Sequence, residues 1–335
     1  MKTSLFSYDL PRDLIARYPV DRGKERLLVV ERGTGRLFHK QFEDIHSYLM
    51  PGDVMVLNDT RVIPARLKGR KQTGGVVEVL LLKHLEGPRW CCLLNASKPT
   101  KAGSIVKFSD GLSAIVEKAE GKNYMLVFSD EEKVLSTGAM PLPPYIGREP
   151  IDRDFETYQT VYAREEGSIA SPTAGLHFSQ EMLSSIEATG VEIAFITLHV
   201  GIGTFTPVRT EHVEEHMMHQ EEFHVSDSSA AVINTAISQD RRIVAVGTTT
   251  TRVLEHLMST QGRIEPGKGA TDIFIYNGFP FKAVSSMLTN FHLPCSTLLM
   301  LVCAFGGNDL VMSAYREAVQ MKYRFYSYGD AMLII

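Results

Sequence analysis

No stretch of this 335-residue chain is apolar for long enough to cross a bilayer as a helix. The longest apolar run, Leu298 to Phe305, has eight residues, where a span needs about twenty. The opening residues Met1 to Asp9 turn polar too soon for a secretory leader. Cysteine is scarce: Cys91 and Cys92 are adjacent, and Cys295 and Cys303 lie eight apart. That spacing offers neither a CxxC metal knuckle nor a disulfide framework, and it fits a reducing cytoplasm. Internal repeats and low-complexity segments are absent too. With 44% apolar and 22% charged residues, the composition excludes a disordered or fibrous chain and fits a soluble globular one. The length predicts two domains or one large one.

The net charge is −4, which argues against a generic nucleic-acid binder. The distribution is uneven, however. Residues 61–125 hold twelve Lys/Arg against five Asp/Glu, a net of +7. The remaining 23 Lys/Arg and 34 Asp/Glu leave −11 elsewhere. A basic module on an acidic body is the pattern expected of a surface that meets an anionic partner, although a solvated β-domain face would look the same.

Texture divides the chain. Leu27–Val30 and Val54–Leu57 read as buried strands flanking a short helix between Phe42 and Leu49. From about Ala65 five β-rich runs follow: Val76–Leu82, Trp90–Leu94, Ile105–Phe108, Leu112–Glu117 and Tyr124–Phe128. Close spacing without helical period predicts a small barrel. Met140–Tyr145, with three prolines, then marks a boundary. Beyond it helices are expected at 155–163, 179–188, 229–238, 251–258, 297–304 and 309–321. Strands are expected at 191–198, 243–246, 272–276 and 283–287. Alternation of this kind predicts a three-layer α/β body (1–65 and 150–335) with a largely parallel sheet, interrupted by a β-barrel domain at 66–149.

Ligands of such sheets bind at the carboxyl ends of strands, and polar clusters follow five of the expected strands or precede helices. Asn58-Asp59-Thr60-Arg61 offers a carboxylate, a guanidinium and two short hydrogen bonders. Ser171 to Phe178, with Thr173, Gly175 and His177, precedes a helix whose free N–H groups would attract an anion. Thr197 to Phe205 carries His199, Gly201, Gly203 and Thr204; its GxG lacks the rest of a dinucleotide fingerprint. Gly247-Thr248-Thr249-Thr250-Thr251-Arg252 puts four hydroxyls and a guanidinium at a strand-to-helix turn, a constellation suited to ribose, carboxylate or phosphate. Asp272, and Asn290 with His292, complete the set. Separately, Glu211 to His219 contains H-x-x-E-H, used by some zinc proteases. If that segment were helical, His212, His216 and His219 would share a face, with Glu215 beside them, giving a zinc-hydrolase alternative.

Taken together and in order, these segments resemble the S-adenosylmethionine:tRNA ribosyltransferase-isomerase family of queuosine biosynthesis across nearly the whole chain. The matching stretches include Leu57–Leu67, Met140–Ile146, Tyr158–Ala163, Pro172–Phe178, Thr197–Phe205, Glu215–His219, Asn290–Leu299 and Tyr323–Leu333. Departures are small. Ser171 stands where the family usually has alanine, Thr250-Thr251 replaces a Ser-Val pair, and Asn95–Lys101 lacks the usual lysine-glycine pattern. The resemblance implies S-adenosylmethionine as a ribosyl donor and a tRNA wobble base, 7-aminomethyl-7-deazaguanine, as acceptor. The implied products are epoxyqueuosine in tRNA, adenine and methionine. It implies no metal, no membrane, a cytoplasmic site of action and a monomer. A CxxxCxxC cluster for radical use of the co-substrate is missing. Within the matching segments His177, His199, His292 and Asp59 are the catalytic candidates. His177, read as a helix-start residue kept neutral by the helix dipole, is the first choice of base. Arg61, Thr173, Gly175, Gly201, Gly203, Thr204, Thr249, Arg252, Asp272 and Asn290 are the candidates for holding substrate.

Overall fold

Short apolar runs buried on both faces build the centre of the molecule. In the computed structural model, which describes residues 1–201, 203 and 207–335, Leu27–Val30, Val54–Leu57 and Ile243–Val246 are each fully buried strands. Among the described residues there are seventeen strands and seven α-helices. In chain order the strands are β1 Arg26–Glu31, β2 Arg36–Gln41, β3 Val54–Asn58, β4 Thr60–Val62, β5 Arg66–Lys71, β6 Val76–His84, β7 Arg89–Ala96, β8 Ile105–Lys107, β9 Ser113–Glu120 and β10 Asn123–Phe128. After the barrel come β11 Glu165–Ser168, β12 Glu192–Leu198, β13 Glu221–Val225, β14 Ile243–Val246, β15 Gly267–Thr271, β16 Ser286–Asn290 and β17 Ala331–Ile334. The helices are α1 Glu132–Thr137, α2 Asp154–Thr157, α3 Gln180–Ala188, α4 Asp227–Ser238, α5 Thr248–Thr260, α6 Thr297–Gly306 and α7 Asn308–Gln320.

Nine strands form the main sheet, in the order β15-β13-β12-β3-β14-β16-β17-β1-β2. Successive residues of its strands enter different cores, as the period of two requires. Leu28, Val30, Val54 and Val56 join α4 to α7 on one face. Leu27, Val29, Met55 and Leu57 join α3 and the 3-10 segment Phe42–Tyr48 on the other. The body therefore has three layers, as expected. The sheet is mixed rather than largely parallel: β12, β3, β14 and β16 run parallel, but β13, β15, β2 and the β16–β17 junction are antiparallel.

The barrel closes with six strands, β10-β7-β6-β5-β8-β9. The sixth, β5, reads as polar (RLKGRK), yet Leu67 and Gly69 point inward while Lys68 and Arg70 face water. Gly69 is required there, since a Cβ would sit 2.8 Å from the Lys107 carbonyl oxygen. The chain enters and leaves the barrel at one place: Arg66 and Ala139 exchange both backbone hydrogen bonds, at 3.1 and 2.8 Å.

Three expected elements differ. The helix expected at 155–163 is only α2, because Tyr158, Gln159 and Thr160 turn inward and Gln159 clamps both backbone groups of Val62 (2.9 and 2.7 Å). No strand spans 272–276; the pairing segment is β15, just before it. The strand expected at 283–287 lies three residues later, as β16, because Glu255 holds the backbone N–H groups of Lys282, Ala283 and Val284. Among the described residues no single helix is long and apolar enough to cross a membrane.

Candidate active site

Four neighbouring parallel strands, β12, β3, β14 and β16, end on the same edge of the sheet, and the polar segments cluster there. Asn58, the last residue of β3, binds this edge together. Its Oδ1 accepts from the N–H of Thr60 (3.1 Å) and Leu198 (3.0 Å). Its Nδ2 donates to the Leu198 carbonyl (3.0 Å) and to Thr249 Oγ1 (3.4 Å). Ser168 Oγ likewise ties Ala170 to Val200, which sets the course of the Ser171–Ala174 segment above the strand ends.

A cleft opens at the ends of β14 and β16, with about 610 Å³ of empty space including its solvent mouth. Ser171, Thr173, Thr248, Thr249, Asn290 and His292 line it, with Tyr145, Tyr326 and Ser327 on another wall. Among the described residues no Lys, Arg, Asp or Glu lines it. Gly247 begins the β14–α5 turn at φ 93°, a left-handed conformation suited to glycine. Of the four threonines that follow, Thr250 and Thr251 donate back to the carbonyls of Val246 (2.8 Å) and Gly247 (3.2 Å). Only Thr248 and Thr249 reach the cleft, half of the hydroxyl cluster expected to meet a ligand.

Asn290 is 2% exposed. Its Nδ2 donates to the Tyr326 carbonyl at 3.0 Å, and its Oδ1 meets no donor among the described residues. Tyr326 adopts φ 71°, rare for a bulky residue and a mark of a position held by its surroundings. Its ring lies 4.6 Å from that of Tyr145, whose hydroxyl shares a 2.6 Å hydrogen bond with Ser327 Oγ. His292 is anchored through its backbone, which the hydroxyls of Tyr8 and Tyr315 grip from both sides. Its Nε2 is 2.7 Å from Thr289 Oγ1. Burial pushes this imidazole down to about 3, so the ring is neutral at working pH.

The other described candidates are not among its lining residues. His199 follows β12; its Nδ1 is 2.8 Å from Thr60 Oγ1, and burial lowers its pKa. The ring rests on bare backbone, because a Cβ on Gly167 would come within 3.0 Å of it. Asp59 is buried, with its carboxylate taken by Thr197 Oγ1 (2.6 Å) and Arg164 Nη2 (2.8 Å). Arg61 is exposed and pairs loosely with Glu166 at 3.6 Å. Gly175 packs beneath the Tyr162 hydroxyl, where any Cβ would clash. Gly201 donates its N–H to Glu221 (2.8 Å), and Gly203 lies against the His219 ring. Arg252, 3% exposed, is bound by Glu221 and the Ile273 carbonyl, and Asp272 is exposed beyond β15. Thr204 lies outside the described residues.

His177 departs most from expectation. It precedes the N-cap of α3, which is Ser179, so it is not a helix-start residue. The ring is 1% exposed, stacked 4.9 Å from Phe42, with Nδ1 3.3 Å from Glu25 Oε1. It is absent from the cleft lining.

The zinc alternative fails on its geometric premise. Residues 212–219 form one 3-10 turn, Val213–Glu215, not an α-helix, so the three histidines do not share a helical face. His216 instead packs edge-on against Phe274. Among the described residues no group of three or more potential ligands is placed to hold a metal ion.

The basic residues lie at both ends of the barrel strands, with Arg66, Lys83 and Arg89 toward one end and Arg70 and Lys71 at the other. Arg66 pairs with Glu78, Lys68 with Glu149 (2.7 Å), Lys83 with Glu222 (2.5 Å) and Arg89 with Glu117 (3.3 Å). Among the described residues Arg70 and Lys71 donate to backbone carbonyls, those of Gly74 and of Lys98 and Pro99.

Sequence reasoning missed Thr248, Tyr326 and Ser327. Thr248 stood inside a segment already singled out; the tail residues could have been found from the Tyr323–Leu333 match.

The family model described as "Queuosine biosynthesis protein" matches residues 3–334. The chain is similar to the S-adenosylmethionine:tRNA ribosyltransferase-isomerase of Symbiobacterium thermophilum, 52% identical over 343 residues with both chains fully covered. It is similar to the protein of that name from Syntrophotalea carbinolica, 49% identical with the same coverage. A crystal structure of an S-adenosylmethionine tRNA ribosyltransferase from Thermotoga maritima is 38% identical, with a TM-score of 0.58 over 99% of this chain and 100% of that one.

Proposed function

The chain belongs to the queuosine biosynthesis protein family, and from this we propose that it is an S-adenosylmethionine:tRNA ribosyltransferase-isomerase. It transfers and isomerises the ribosyl group of S-adenosylmethionine onto 7-aminomethyl-7-deazaguanine at the tRNA wobble position. Epoxyqueuosine-tRNA, adenine and methionine are released. The observation that carries the reading is the full-length match, five of whose stretches contribute Tyr145, Thr173, Val200, Asn290 and Tyr326 to one cleft at the carboxyl edge of the sheet.

The reaction has three demands. A base removes a proton from the ribose carbon beside the sulfonium, whose positive charge stabilises the developing carbanion. Adenine departs with help from a hydrogen bond. The acceptor amine attacks in its neutral form. We assign the base to His199, whose ring is oriented by Thr60 and kept neutral by burial. Asp59 positions the strand end that carries Thr60. Neutral His292, on the cleft wall, contacts the departing adenine. His177 acts through packing. The barrel rim around Arg70 and Lys71 meets the tRNA backbone. The enzyme works in the cytoplasm as a monomer, and no metal ion has a role in this scheme.

The test is direct. The purified protein is incubated with S-adenosylmethionine and tRNA bearing the aminomethyl base. Adenine and methionine should appear in equal amounts, together with the epoxide-bearing nucleoside by mass spectrometry. Formation of S-adenosylhomocysteine instead, or no adenine, would refute the assignment.

A further inference from the structure

Among the described residues the cleft lining carries no carboxylate, ammonium or guanidinium, yet it holds polar groups of both kinds without partners. At the cleft lies the start of α5, a 13-residue helix without a side-chain cap. Its first N–H groups have no partner within the helix, and their dipoles favour an anion. By contrast α6, which also starts at the cleft, is capped by Ser296 Oγ on the Leu299 N–H at 3.2 Å. The Thr248 and Thr249 hydroxyls line the cleft beside the uncapped turn. Ser171, 4% exposed, adds a buried hydroxyl with no partner among the described residues. Asn290 Oδ1, also in the lining, is a buried acceptor with no donor among the described residues. Its orientation is fixed, because the opposite atom of the amide must donate to the Tyr326 carbonyl.

Buried polar atoms without partners are rare and call for a ligand or water. Donors and an unpaired acceptor lining one cleft match a group with one negative and one positive end. We propose that this cleft binds an α-amino carboxylate, with the carboxylate at the start of α5 and the ammonium on Asn290 Oδ1. Resting on the functional reading above, the inference assigns the site to the methionyl end of S-adenosylmethionine. A zwitterion brings charges that cancel, so the site needs no Lys or Glu. A tRNA phosphate would bring uncompensated negative charge to a cleft whose described lining holds no Lys or Arg. Arg252, one of the residues expected to hold substrate, is not among the cleft lining and is bound by Glu221.

The test compares ligands before it compares variants. Calorimetry on the wild-type protein measures S-adenosylmethionine, its decarboxylated analogue and free methionine. The expected result is at least about tenfold weaker binding without the carboxylate, since hydrogen bonds to a charged group are among the stronger ones. Methionine should compete with S-adenosylmethionine. The double variant Ser171→Ala/Thr249→Val should lose about tenfold in affinity for S-adenosylmethionine and less than threefold for the analogue. Equal binding of S-adenosylmethionine and its analogue by the wild type overturns the inference and leaves the functional reading intact. Weakened tRNA binding in the double variant, with ligand selectivity unchanged, assigns the site to phosphate and also overturns it. Failure of the wild type to bind S-adenosylmethionine at all refutes the functional reading itself.

Discussion

Arg70 and Lys107 stand directly opposite each other on the antiparallel strands β5 and β8, both exposed. Like charges in this relation destabilise a sheet by a few tenths of a kcal/mol or more. A partner rich in phosphate turns that cost into affinity. The variant Arg70→Ala/Lys107→Ala should bind tRNA more weakly, and its log–log salt slope should fall by about one unit per lost phosphate contact. Its melting temperature should stay level or rise. Lys68→Ala should change less, because Lys68 is already paired with Glu149. Unchanged affinity and slope in the double variant would make this rim a solvated face.

His199 should carry the pH dependence of turnover. Burial lowers its pKa from the ordinary value, so the basic form persists below pH 6.5. The acidic limb of the kcat/KM profile should therefore lie below that pH. His199→Ala should reduce kcat by about a hundredfold or more, as loss of a general base does. His199→Asn keeps a hydrogen bond to Thr60 without a proton-accepting role and should be equally slow. A variant with near-normal turnover would place the base elsewhere.

His292 has a different pH signature, visible in stability. Its folded pKa is pushed down to about 3, while an unfolded histidine titrates near 6.5. Between those values the unfolded chain binds a proton that the folded one does not. Stability is therefore full above about pH 6.5 and falls as the pH drops toward 3. Urea melts at pH 7, 5 and 4 should show a steeper loss for wild type than for His292→Gln, which does not titrate. Parallel losses would argue that the imidazole is not held neutral.

His177 should matter to folding before chemistry. Its ring fills a site against Phe42 and Glu25, so His177→Ala leaves a cavity and should cost roughly 2–4 kcal/mol of stability. Turnover per folded molecule at low temperature should fall less than tenfold. A stable variant with a hundredfold loss of kcat would return the base to this residue.

The sequence was most readable where burial is complete. Val54–Leu57 and Ile243–Val246 are sealed on both faces, so their composition is uniform and their limits were found within a residue. It was least readable where partners are distant. Arg66–Lys71 looks like surface until Val106 and Phe108 are seen across from Gly69. Ala331–Ile334 gives no hint that it pairs with both β1 and β16. The same division holds in the cleft. Thr249 and Asn290 were legible because each lies at or just past the end of a strand. Their neighbour Tyr326 was not, because its left-handed backbone depends on Phe291 and Asn290, which accept from and donate to its peptide groups. His177 was misplaced by two residues relative to the true cap, Ser179, and that small shift moves a side chain from a helix mouth into the core.

The paired backbone of Arg66 and Ala139 has a consequence for how the molecule assembles. Seen from the sheet, everything between those residues is one loop whose ends already touch. Closing a loop becomes more costly only slowly as it lengthens, so the body gives up little by accommodating a whole barrel there. The tolerance has a narrow throat. Gly138, beside Ala139, faces the Pro64 carbonyl oxygen so closely that a Cβ would stand 1.8 Å from it. The loop can therefore vary widely in length and surface, while the two strands of chain that hold it can scarcely change at all.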